Sequence, residues 1–173
     1  MEKLLDTGKV KSIGISNFSK KELETLLKTA KVVPSVHQIE THPYLPQTSF
    51  LEFHKKHGIE VTAYSPFGNQ NDIYDAGKNV DPLVKTEVIQ KIAKKHGVEG
   101  THVAIAWGIQ RGTTVIPKSV HEGRIKNNFE ALKLVGKLDD EDMKNIASMN
   151  GPHRFNNPSK SWGYKCFEDL EGA

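Results

Sequence analysis

Short apolar runs rich in β-branched residues alternate along the chain with stretches in which apolar residues recur every three or four positions. Lys11 to Ser16 (KSIGIS), Ser35 to Glu40 (SVHQIE), Ile59 to Ser65 (IEVTAYS) and Thr113 to Lys118 (TTVIPK) each predict a strand. Helices with recognisable starts follow. Ser19 with Glu22 three residues on reads as a capping box ahead of ELETLLKTAK, as do Ser49 with Glu52 ahead of FLEFHKKH and Ser119 with Glu122 ahead of RIKNNFEAL. Gly58 supplies a left-handed closure for the second of these helices. The interval after the third strand is longer: a loop from Gly68 to Asp81, a helix near Val84 to His96, and another from about Thr101 to Arg111. Asp139 opens a last helix, DEDMKNIASMN, and from Gly151 onward Pro152, Asn156, Asn157 and Pro158 break any period. Residues 151–173 therefore read as an irregular tail.

Alternating strands and helices imply parallel pairing with right-handed crossovers, either in an open doubly wound sheet or in part of a (β/α)8 barrel. No G-x-G-x-x-G joins the first strand to its helix, so the backbone lacks the close approach to a pyrophosphate that a Rossmann site needs. The strands instead share polar residues at their carboxyl ends: Ser16 and Asn17, Gln38 and Glu40, Tyr64 and Ser65, Lys118 and Ser119. In a barrel those ends meet at one mouth, where active sites of that fold lie. The expected architecture is an α/β fold: a partial (β/α)8 barrel of about four βα units plus the tail, in one domain over residues 1–173.

Composition narrows the function classes. A formal charge of +3, from 24 basic and 21 acidic residues interspersed along the chain, implies neither a nucleic-acid groove nor an anionic membrane surface. The basic runs Lys55-Lys56-His57 and Lys94-Lys95-His96 fall in the last turns of helices, where solvated cations complement the helix dipole. Cys166 is the single cysteine, without a disulfide or zinc partner, and no apolar run approaches the ~20 residues of a membrane span. A cytoplasmic protein with no metal site is the expectation. A barrel glycosidase would want two facing carboxylates, and Glu40 is the only acid at these strand ends.

IGISNF (Ile13 to Phe18), HQIETHPYL (His37 to Leu45), VTAYSPFG (Val61 to Gly68), VIPKSV (Val115 to Val120) and RIKNNFEAL after it resemble, in order and spacing, the C-terminal half of aldo-keto reductases. The resemblance implies NADP(H) as cofactor and assigns roles that each residue's chemistry can fill. Ser16, Asn17 and Gln38 would hydrogen-bond the nicotinamide carboxamide, which needs neutral donors and acceptors. Tyr64 would stack on the nicotinamide. Ser65 and Phe67 belong to the family loop along the diphosphate, where Asn69 replaces a common serine. Lys118, Ser119 and Arg124 would hold the adenosine 2′-phosphate at a helix N-terminus, and Asn128 the adenine. Asn127 stands where relatives often carry glutamate.

The family reduces aldehydes or ketones by hydride transfer coupled to proton donation from a tyrosine tuned by lysine and aspartate, with a histidine orienting the substrate. Those four residues precede the first strand here in the family pattern, and no residue of this chain matches them. His37 and His42 are expected to be merely hydrogen-bonded, Tyr44 belongs to a packing loop, and no catalytic residue is assigned. The expectation is a truncated, C-terminal half of an NADP-dependent oxidoreductase, inactive alone and acting on a carbonyl substrate only when complemented by an N-terminal half. The alternative is a catalytically silent NADP(H)-binding or interaction protein. Four strands leave two unpaired edges, which implies self-association. Trp162, Tyr164 and Phe167 could line a substrate pocket or cover the barrel.

Overall fold

The computed structural model describes residues 1–68, 80–149 and 151–172. The strands β1 (Gly14–Ser16), β2 (Val36–Glu40), β3 (Glu60–Tyr64) and β4 (Thr114–Val115) form one parallel sheet in chain order. Ser16 pairs with Gln38, Glu40 with Tyr64, and Thr62 with Thr114. Neighbouring order with parallel pairing is the topology of successive barrel strands, and it excludes the doubly wound alternative at this sheet.

The two outer strands are shorter than their apolar runs. β1 is three residues because a single neighbour pairs it, although Ser35 N–H still donates to the Ile13 carbonyl at 2.8 Å. β4 is two residues, extended by Ile116 N–H donating to the Ala63 carbonyl, and Pro117 then has no N–H with which to continue the ladder.

α1 (Lys20–Thr29) begins at the expected box: Ser19 Oγ accepts from Glu22 N–H, and Glu22 accepts from Ser19 N–H at 2.7 Å. α2 (Thr48–Lys56) does not begin at one. Ser49 caps nothing; Gln47 precedes the helix in a left-handed conformation, with its N–H on Glu171 Oε2 at 2.8 Å and its side-chain amide on the Glu40 carbonyl at 2.5 Å. Gly58 takes the left-handed φ of +66° expected after this helix. A 3-10 turn (Leu83–Lys85) stands where the helix from Val84 was expected. Thr86 interrupts it by turning its hydroxyl onto the Leu83 carbonyl, and α3 (Glu87–His96) follows.

α4 (Gly100–Gln110) is apolar on nearly every side and almost wholly buried, as a helix without a polar face must be. α5 (Glu122–Glu130) runs into a 3-10 turn at Ala131–Leu134. Its expected Ser119 cap is corrected: Ser119 Oγ accepts from His121 N–H two residues on, a local turn that ends before the helix starts. α6 (Asp140–Ala147) opens on a box between Asp139 and Asp142, and the tail contains one short helix, α7 (Ser159–Trp162).

The core has two parts. Leu23, Ile39, Phe50, Ile59 and Val61 pack between the sheet's outer face and α1 and α2. A larger cluster joins α3, α4 and α6 through Ile89, Ile92, Val103, Trp107 and Ile146, and takes in Tyr44 and Phe155. The cations at the end of α3 are not merely solvated. Lys95 Nζ lies 2.6 Å from Asp139 and 2.8 Å from Asp142, and His96 Nε2 lies 2.7 Å from Asp142, which ties α3 to α6. The expected loop from Gly68 to Asp81 lies largely outside the described residues, and Asn69 with it.

Candidate cofactor site

Period-two alternation sends Ser16, Gln38, Glu40, Thr62, Tyr64 and Thr114 to the face of the sheet away from α1 and α2. Register then brings their carboxyl-end members together. Ser16 Oγ donates to the Gln38 carbonyl at 3.0 Å, and Asn17 N–H donates to the same oxygen at 3.0 Å. Asn17 (φ 58°) and Ser65 (φ 50°) both turn off their strands in the left-handed region. The Asn17 side chain lies close to the Tyr64 hydroxyl across β2. Ser16, Asn17, Gln38 and Tyr64 thus form one cluster. The Gln38 amide has no hydrogen-bond partner among the described residues, and Ser16 keeps its lone pairs free to accept.

Burial, and next the charge of Glu40, push the Tyr64 phenol well above its ordinary value. The phenol stays neutral, and its ring is available as a flat π surface.

Glu40 is the electrostatic centre beneath this cluster. Its carboxylate is fully buried and accepts from His42 Nε2 at 3.0 Å, Phe155 N–H at 2.9 Å and Asn156 N–H at 2.9 Å. Burial alone would raise its carboxyl, but the bonds from His42 and the two backbone amides outweigh it and hold the group below the ordinary carboxylate value. The tail is thereby strapped to the strand end. Arg154, buried over the Phe167 ring at 4.3 Å, donates to the Glu171 carbonyl and Gln47 Oε1, and the Asn156 amide reaches Ser65 Oγ at 3.3 Å. Gly68 (φ +68°) lies against Phe155, whose ring would be 2.9 Å from an added Cβ. Phe67 packs partly buried against the larger core cluster.

A second group lies beyond β4. Lys118 and Arg124 are exposed and form no ion pair among the described residues, Ser119 is half-buried, and Arg124 and Asn128 are four residues apart on one face of α5. The free N–H groups at the start of α5 complete a cationic surface, with Glu122 the acid in its first turn. This arrangement can take a dianion such as a phosphate monoester. Asn127 bonds Glu99 at 2.9 Å and Thr101 at 3.3 Å, joining α5 to the start of α4. Among the described residues no three His, Cys, Asp or Glu side chains gather in a way that could hold a metal ion. No helix among them is long and apolar enough to cross a membrane.

Sequence reasoning did not find the strap. Arg154, Phe155 and Asn156 lie in the tail, 107, 115 and 91 residues from their partners Gln47, Glu40 and Ser65. The available signal was Glu40 itself, since an acid inside a strand among apolar neighbours has to find donors. His37 and His42 are hydrogen-bonded in the interior, as expected of histidines at these positions. Trp162 and Tyr164 are exposed, and Phe167 is buried beneath Arg154.

A parallel sheet in chain order, helices on its outer face and polar groups gathered at its carboxyl ends define a segment of a (β/α)8 barrel. The chain belongs to the aldo/keto reductase family, which matches residues 1–151. It is 57% identical over 158 residues to an uncharacterized oxidoreductase of Schizosaccharomyces pombe, covering 90% of this chain and 47% of that protein. It is 41% identical over 167 residues to the NADP-dependent D-sorbitol-6-phosphate dehydrogenase of Malus domestica, covering 96% of this chain and 53% of that one. The aldose reductase structure from Giardia lamblia superposes with a TM-score of 0.85 at 37% identity, over 97% of this chain and 54% of the other. The chain spans about half the length of the curated relatives it matches.

Proposed function

We propose that this chain forms the NADP(H)-binding half of a carbonyl-reducing oxidoreductase. The observation that carries the reading is the pair of exposed cations without an ion pair among the described residues, Lys118 and Arg124, flanking the start of α5, together with the neutral cluster of Ser16, Asn17, Gln38 and Tyr64 at the ends of the other strands. The named NADP dependence of the Malus relative supports the same choice. Ser16 and the Gln38 amide accept from and donate to a carboxamide, Tyr64 offers its ring, and Ser65 and Phe67 lie on the turn between the two ends. Lys118, Ser119 and Arg124 neutralise a 2′-phosphate, and Asn128 borders the adenine. The reduced cofactor, when bound, supplies a hydride.

Proton donation to the carbonyl oxygen is a separate requirement. Tyr64, the phenol at these strand ends, is assigned to stacking on the cofactor, and no residue of the chain matches the family's proton-donating tyrosine. The isolated chain therefore binds nucleotide without turning over. Titration of the purified chain with NADPH, run beside an NADPH-oxidation assay with glyceraldehyde, tests both halves of this statement. Binding with no oxidation above the protein-free control is expected. Turnover would overturn the claim of inertness, and absence of binding would overturn the cofactor reading.

A second reading concerns assembly. Ile125, Phe129 and Leu132 form an exposed apolar stripe at helical spacing, Ile116 and Val120 between β4 and α5 are also exposed, and so are Leu4, Val32 and Val33 in the segments before β1 and β2. Two copies joined edge to edge would pair both free strands and reach eight, so self-association through these edges is proposed. Light scattering across a concentration series would show a dimer; a monomer at the highest concentration would refute it.

A further inference from the structure

Asn17 is a non-glycine residue held at φ 58° at the head of the neutral cluster, and the next peptide has an uncommon partner. Phe18 N–H donates to His37 Nε2 at 3.1 Å. The other nitrogen of His37, Nδ1, lies 2.7 Å from His54 Nε2, and His54 Nδ1 lies 2.6 Å from the Phe50 carbonyl. One proton arrangement satisfies every member. A carbonyl only accepts, so His54 Nδ1 carries hydrogen and its Nε2 accepts. His37 Nδ1 therefore donates, and its Nε2 is left to accept from Phe18.

The two rings are fully buried on the outer face of β2, between Phe18, Phe50 and Phe53. No carboxylate among the described residues bonds either ring; His57 lies beside His54, and the Lys20 ammonium lies over the Phe53 ring. Burial, and then the neighbouring His54, push His37 down to about 3, and burial lowers His54 as well. The relay is therefore neutral and single-state at physiological pH. It runs from the α2 backbone at Phe50 to the peptide that follows Asn17.

We infer that His37 and His54 are positioning residues that lock the Asn17 turn against α2 and so aim Ser16 and Asn17 at the nicotinamide end of the cofactor. This rests on the cofactor reading above. Neither ring touches the mouth, so both act through the backbone of residues 16–18. The phosphate-binding end on α5 has no link to the relay, and the two ends of the cofactor separate the effect from general damage.

The test compares NADPH with adenosine 2′,5′-bisphosphate, which lacks the nicotinamide, in wild type, His37→Leu, His54→Phe and His37→Gln, whose amide oxygen can still accept from Phe18. The first two variants should weaken NADPH about tenfold, the loss of one well-placed hydrogen bond, while the bisphosphate stays within about twofold. His37→Gln should recover most of the NADPH affinity. Nitrogen-15 imidazole spectra of the wild type should show Nδ1–H with bare Nε2 on both rings. Unchanged NADPH affinity, or equal weakening of both ligands, overturns the inference, as does an Nε2–H tautomer on either ring even if the variants fail to fold. A wild type that binds neither nucleotide overturns the cofactor reading itself, a different result from intact binding that ignores the two histidines.

Discussion

Replacing Glu40 with glutamine removes one charge and keeps the shape, and the consequence can be worked from its three bonds. Oε1 accepts from both His42 and Phe155, and Oε2 accepts from Asn156. Glutamine offers one accepting oxygen, so its NH2 group must face a donor, either the Asn156 peptide or the Phe155 peptide with His42. A hydrogen bond to a charged acceptor contributes about 1.5–3 kcal/mol, and a buried donor left unpaired costs about 1–3 kcal/mol. Relief of the buried charge offsets part of this, leaving a net loss of roughly 3 kcal/mol at pH 7. The pH dependence sharpens the test. Because Glu40 is depressed in the folded state, its stabilisation is complete above the unfolded value of about 4.5 and is lost as pH falls through the lower folded value. The gap between wild type and Glu40→Gln should therefore narrow in acid, where the native carboxyl is protonated too. Urea unfolding at pH 7 and at pH 3.5, followed by the fluorescence of buried Trp107, measures both. A difference below about 0.5 kcal/mol at pH 7, the range of neutral surface changes, would refute the account of the strap. So would a difference that does not change with pH.

Two further predictions rest on the same kind of measurement. His37 stays neutral when folded because burial and the His54 ring hold it at about 3, while the unfolded chain protonates below about 6.5, so its stabilisation is complete above that value and declines in acid. Between pH 7.5 and pH 5 this share amounts to about 2 kcal/mol; equal urea midpoints at the two pH values would contradict it. Asp142 caps α6 through Asp139 and receives Lys95 and His96 from α3, so Asp142→Ala should cost about 1–2 kcal/mol and expose the α6 amides to hydrogen exchange before those of α4. Loss of stability without early α6 exchange would place the role of Asp142 elsewhere.

Local pattern revealed the parts whose causes are local. The four strands, Ser19 and Asp139 as caps, and Gly58 as a helix stop were legible because each depends on residues within a few positions. Ser49 and Ser119 carry the same signature as Ser19 and cap nothing. At α2 the start is set by Gln47, held by Glu40 and by Glu171 from the tail; at Ser119 a nearer donor, His121 N–H, takes the hydroxyl first. The polar strand ends were legible as a set. What lies beneath them was not: the Glu40 strap and the His37–His54 relay arise where distant segments are packed together, and no spacing in the chain encodes which donors a buried acceptor meets.

The most direct test of the cofactor reading is a calorimetric titration of the chain with NADPH and NADH at fixed salt, repeated with the double substitution Lys118→Ala and Arg124→Ala. NADPH should bind at least about tenfold more tightly than NADH, because two cations and the start of α5 meet a charge that NADH lacks, and the double variant should erase that difference while leaving NADH unchanged. Equal affinity for the two nucleotides in the wild type, or a preference that survives the double substitution, would contradict the account.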